Sequence, residues 1–178
     1  MNVLLIGMRA SGKSTVGEAL AMRLEARFYD LDLVVADEMG QKSAAAAIKV
    51  AGFERFRMTE TRMLETLLRD RDAVIALGGG TPTAPGAKQL IQDSRESKKT
   101  RVVFLDENAQ EIRSRIAKDG ASKRPAILGK DPIAEVEQVL ADRRPVYSEL
   151  ADVVVVPGGR SVAALVDEIA EALGLPRH

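Results

Sequence analysis

The chain contains no cysteine, so disulfides, zinc–thiolate sites and thiol catalysis are excluded. Its one histidine is His178, which leaves no histidine triad and no histidine metal cluster. No apolar run approaches the roughly 18 residues that span a bilayer. The first residues, Asn2–Ile6, lead straight into a glycine loop, with no room there for a signal peptide, so no membrane association and a cytoplasmic location are expected. Net charge is absent too. Lys and Arg number 26, as do Asp and Glu, which argues against a nucleic-acid partner held by bulk positive charge. A local basic pocket remains compatible with that balance. With 46% hydrophobic and 29% charged residues, the 178-residue chain is composed like one globular domain. A monomer is expected.

What is present alternates in character. Short apolar runs at Asn2–Ile6, Arg27–Leu31, Ala73–Leu77, Arg101–Leu105 and Asp152–Val156 read as five buried strands. Helical spacing is expected between them, from Lys13 to about Ala26, over Leu33–Gln41 and over Phe53–Arg69. Further helices are expected over Asn108–Ile116, Ile133–Leu150 and Ser161–Leu173. Strands alternating with helices imply a parallel sheet covered on both faces, an α/β fold. The polar stretch 120–130, with Pro125 and Gly129, is a candidate mobile loop.

The strongest local signal is Gly7-Met8-Arg9-Ala10-Ser11-Gly12-Lys13-Ser14, which satisfies G-x-x-x-x-G-K-[ST] between a strand and a helix. Its glycines allow backbone N–H groups to turn inward around phosphate oxygens, beside the positive end of a helix dipole. Lys13 is then expected to bridge the terminal phosphates, and Ser14 (or the neighbouring Thr15) to coordinate Mg²⁺.

Three kinds of nucleotide-binding protein share such a loop. A switch GTPase needs an Asn-Lys-x-Asp element near a late strand, and Val153–Arg160 carries none. A motor-type ATPase needs an acid at the end of an apolar strand, and Asp106-Glu107 after Val102–Leu105 offers one. A small-molecule kinase needs acids at the end of the second strand, and Asp30 and Asp32 stand there. On extended chain, residues two apart point the same way, so the pair is expected to serve metal and substrate hydroxyl together. A helix cap is the plain structural role for the same aspartates.

These residues together resemble shikimate kinases over nearly the whole chain. In order they are Gly7 to Thr15, Asp30-Leu31-Asp32, Phe56-Arg57, Gly78-Gly79-Gly80, Arg124-Pro125 and Arg143-Arg144-Pro145-Val146-Tyr147. The resemblance implies a three-layer α/β/α fold of the nucleoside-monophosphate-kinase-like type, with a five-stranded parallel sheet. It implies phosphoryl transfer from ATP, with Mg²⁺, to the 3-hydroxyl of shikimate, a step in aromatic amino-acid biosynthesis. By the same resemblance Asp32 touches the reacting hydroxyl, Asp30 lies on the metal side, and Arg57, Gly79, Gly80 and Arg143 hold the substrate. Arg124 would belong to a lid over about 117–130 and approach the transferred phosphate. Arg115, with Arg113 as a second candidate, would lie near adenine, and a substrate-binding region would cover about 32–61. Gly7, Ser11 and Gly12 complete the ATP set with Lys13, Ser14 and Thr15.

The chain departs from the family pattern at Phe53, where an acid is usual, and at Ala44–Ala47, where larger apolar residues are usual. Arg9 stands where many relatives are apolar. Glu60, three residues after Arg57 on one helix face, is expected to pair with it. The departures fall near the acceptor site, and gluconate or another polyol acid would call for similar chemistry.

Overall fold

The computed structural model describes residues 1–119 and 131–175. Five strands, β1 (Asn2–Ile6), β2 (Arg27–Asp30), β3 (Ala73–Ala76), β4 (Thr100–Leu105) and β5 (Val153–Val155), form one parallel sheet in the order β2-β3-β1-β4-β5. Period-two alternation sends successive residues to opposite faces. Leu4, Ile6, Ile75, Val102 and Phe104 enter one core, while Val3, Leu5, Val74, Val103 and Leu105 enter the other.

Helices α1 (Lys13–Arg23) and α8 (Val162–Ala172) cover the second face through Val16, Leu20, Leu165, Val166 and Ile169. The first face is covered by α2 (Leu31–Glu38), α3 (Ala44–Ala51), α4 (Phe53–Leu68), α5 (Ala87–Glu96), α6 (Ala109–Asp119) and α7 (Val136–Leu150). In α4, Phe56, Glu60, Met63, Leu64 and Leu67 recur at helical spacing and are buried, which fixes the face it turns to the sheet. The expected three-layer architecture is therefore present, with all five strands.

Four differences matter. Strand β2 stops at Asp30, and Leu31, expected to end the strand, opens α2 instead. The reason is local: the Asp30 carboxylate accepts the N–H groups of Asp32 and Leu33 at 3.1 and 3.4 Å, a side-chain N-cap. The alanine run forms a helix, α3, capped by Ser43. Ala87–Glu96 is a helix not anticipated from the sequence, and α7 starts at Val136 rather than Ile133.

The topology decides where a ligand can sit. Strand β1 lies between β3 and β4, so the connections leaving β1 and β4 diverge and open a crevice at the carboxyl edge of the sheet. The loop 7–12, Asp30, and Gly78–Gly80 all leave strands at that edge.

Candidate active site

The loop between β1 and α1 wraps around the ammonium group of Lys13, which donates to the carbonyls of Gly7 and Met8 at 3.0 and 2.8 Å. Gly12 has φ of 99°, a left-handed conformation that glycine takes without steric cost, and it starts α1. Ala10 is also left-handed, with φ of 64°. Arg115 of α6 donates to the Ala10 carbonyl at 2.9 Å and to Glu107 at 2.9 Å, bracing that turn from outside.

Asp30 has one oxygen for each neighbour. One caps α2, and the other accepts the Ser14 hydroxyl at 2.6 Å. Asp32 therefore projects from the first turn of a helix, not from extended chain, yet the two carboxylates still share a cavity. That cavity, of about 310 Å³, is lined by Arg9, Gly12, Lys13, Ser14, Asp30, Asp32 and Gly79, among others. Burial pushes the Asp32 carboxyl up from 3.8 to about 6, helped by the negative charges of Glu60 and Asp30 and opposed by Lys13 and Arg57.

Arg57 and Glu60, both near enough to act on Asp32, pair with each other as expected, and Glu60 also accepts the Thr81 hydroxyl. Glu60 is fully buried, so this pair fixes one edge of the Arg57 guanidinium. Any Cβ at Gly80 would collide with that guanidinium, and one at Gly79 would lie 2.8 Å from the Arg9 backbone nitrogen. The glycine triplet thus packs between Arg57 and the phosphate loop. Tyr147 of α7 donates its buried hydroxyl to the Gly79 carbonyl. Burial pushes that hydroxyl up to about 12, while Arg143, hydrogen-bonded to it, and Arg57 pull the other way. Two guanidinium groups thus converge on one glycine loop. Phe53 places its ring 4.6 Å from the Arg57 guanidinium carbon.

A second cavity, of about 340 Å³, lies behind the loop and is lined by Gly12, Thr15, Arg115, Lys118, Pro157 and Arg160, among others. Arg113 points elsewhere and pairs with Glu137 of α7. The acids that a motor ATPase would use are both engaged. Asp106 is gripped by Arg144 at 2.7 to 3.1 Å, and Glu107 is buried against Arg115. Arg143 and Arg144 are thereby told apart, the first buried toward the glycine triplet and the second half-exposed on Asp106. Arg124 and most of the expected lid, 117–130, lie outside the described residues.

Sequence reasoning assigned no part to Tyr147, Thr81, Glu135 or the Glu107–Arg115 pair in shaping the site. Tyr147 was nearest to legible, as the last residue of the Arg-Arg-Pro-Val-Tyr segment. The others carry no local pattern, because their partners stand 8 to 126 residues away in the chain.

The family model for shikimate kinase matches residues 9–174. The chain is 33% identical over 173 residues to a shikimate kinase of Francisella tularensis, covering 97% of this chain and 94% of that one. A shikimate kinase of Symbiobacterium thermophilum is 33% identical over 175 residues, with 97% and 96% covered. Among solved structures, the shikimate kinase of Acinetobacter baumannii in complex with shikimate superposes with a TM-score of 0.86 at 26% identity, covering 97% of this chain and 92% of that one. The shikimate kinase of Aquifex aeolicus gives 0.81 at 31% identity, with 98% and 96% covered. A gluconokinase of Sinorhizobium meliloti shares the fold, at 19% identity and a TM-score of 0.67 over 97% of this chain and 91% of that one. Matched along nearly its whole length by sequence and by fold, this chain belongs to the shikimate kinase family.

Proposed function

We propose that this chain transfers the γ-phosphoryl group of ATP to the 3-hydroxyl of shikimate, as a cytoplasmic monomer. One observation carries the residue-level reading: a single cavity joins the phosphate-loop Lys13 and Ser14 to Asp30, Asp32 and Gly79. A nucleotide terminal phosphate and an acceptor hydroxyl placed there meet in one space.

Gly7, Ser11, Gly12, Lys13, Ser14 and Thr15 hold the phosphates, and Arg115 with the pocket beside Pro157 receives the nucleoside end. The Ser14 hydroxyl and Asp30, 2.6 Å apart, form an all-oxygen donor set that suits a hard cation. Among the described residues no cluster of three or more acidic, histidine or cysteine ligands exists, so Ser14 and Asp30 would be the protein's contribution to holding the cation. Bound Mg²⁺ would offset charge on the β- and γ-phosphate oxygens.

Arg57 and Arg143, with Gly79 and Gly80, clamp the shikimate carboxylate and fix the ring. Bidentate arginine contacts suit a planar carboxylate. Asp32 takes the proton of the 3-hydroxyl as its oxygen attacks the γ-phosphorus. The bond from that phosphorus to the β–γ bridging oxygen breaks, and ADP leaves. A carboxyl raised to about 6 is still mostly ionised at neutral pH and is more basic than a free aspartate. Residues 32–61 serve as the acceptor region and 117–130 as the lid, with Arg124 approaching the phosphoryl group in flight.

The test is ADP release by the purified protein with Mg-ATP, alone and with shikimate or gluconate. Strong stimulation by shikimate alone is expected. Equal release without any acceptor, or stimulation by gluconate instead, contradicts the reading.

A further inference from the structure

The phosphate loop carries an arginine that reaches out of the loop to the chain just before α7. Arg9 donates through Nη2 to Glu135 Oε1 at 2.8 Å and to the Pro132 carbonyl at 3.0 Å. Glu135 is the residue before α7 and is buried, with its side chain fully shielded from solvent. The Arg9 side chain is itself only 15% exposed and lines the cavity shared by Lys13 and Asp32.

Burying two opposite charges costs desolvation that their attraction barely offsets, so such a pair is better understood as fixing a geometry than as adding stability. The geometry fixed here is that of α7. The residue that opens it, Glu135, is tied to the phosphate loop through Arg9, and its last turns are tied to the glycine triplet through Tyr147 and Gly79. Arg143 lies on the helix between these two ties.

We propose that Arg9 is a positioning residue for the acceptor: through Glu135 it sets α7 against the phosphate loop and so places Arg143 on the shikimate carboxylate. A phosphate-loop side chain then governs affinity for the acceptor rather than for the nucleotide. The inference rests on the shikimate reading given above.

Calorimetric titration separates the roles, with shikimate and ATP titrated singly into the unaltered chain and into Arg9→Met, Glu135→Leu and their combination. Arg9→Met and Glu135→Leu are each expected to weaken shikimate binding on the order of tenfold, with ATP affinity held within about twofold. The combination, which replaces both charges by apolar groups, is expected to bind shikimate no more weakly than either single variant. Arg9→Lys, which keeps the charge but loses the planar fork, is expected to fall between the unaltered chain and Arg9→Met, and it carries the test if Arg9→Met does not fold. Loss of ATP affinity instead would make Arg9 a direct phosphate ligand and overturn the proposal. So would unchanged shikimate affinity, or strictly additive effects. If the unaltered chain fails to bind shikimate, the functional reading falls first; if it binds and the variants match it, only the role of Arg9 falls.

Discussion

Asp32 is where local structure and chemistry conflict. Its carboxyl sits in the first turn of α2, with Glu60 and Asp30 close enough to oppose its ionisation. A folded-state value raised from 3.8 to about 6 means that the folded state holds the Asp32 proton more tightly than the unfolded chain does. Stability is therefore lost as pH rises through that window, and at neutral pH the charge is a burden on the fold. Asp32→Asn is expected to stabilise the ligand-free protein by about 1–3 kcal/mol at pH 7, read as a higher Tm, with the gain vanishing below about pH 4. The same variant is expected to lose phosphoryl transfer by a factor of ~10² or more while ATP binding persists. A destabilised Asn variant would mean that Asp32 serves the fold and not the reaction. In the unaltered protein, the transfer rate is expected to fall below about pH 6, as Asp32 takes up its proton.

Between elements, what counts is the approach of α4 and α7 to the loop after β3. Arg57 from α4 and Arg143 and Tyr147 from α7 meet around Gly78–Gly80, where a Cβ at Gly80 would strike the Arg57 guanidinium. Gly80→Ala is expected to raise KM for shikimate by about 10- to 100-fold, the loss of one charge-assisted contact, and to leave KM for ATP nearly unchanged. An equal rise in both would place Gly80 in the nucleotide site. The end of β4 gives the opposite expectation. Asp106 is held by Arg144 there, so Asp106→Asn is expected to change kcat less than about threefold, as for an exposed ion pair. A loss of a hundredfold or more would return the strand-end acid to a catalytic role.

For the molecule as a whole, the sequence was most legible where pattern is local. Continuous apolar runs in β1 and β4 form strands buried on both faces, and the glycine loop stands between strand and helix as its motif requires. At β2 the strand pattern runs through Leu31, but the Asp30 cap ends the strand one residue earlier and opens α2 at Leu31, two residues before the expected Leu33. Arg57–Glu60 was readable from their spacing on one helix, whereas Arg9–Glu135, separated by 126 residues, exists only through the tertiary fold. Ala87–Glu96 escaped notice since Ala87 and Ile91 are its only buried apolar residues. The fold closes these distances by bringing the loop 7–12, Asp30 and Gly78–Gly80 to one sheet edge.

The most direct measurement is the NMR spectrum of the product formed from Mg-ATP and shikimate, recorded for phosphorus and for the ring protons. One phosphate ester is expected, coupled to the proton on carbon 3 and formed in step with ADP. A phosphate on another hydroxyl would mean that Asp32 does not face the 3-hydroxyl. Free phosphate alone, with shikimate unchanged, would contradict phosphoryl transfer to the acceptor outright.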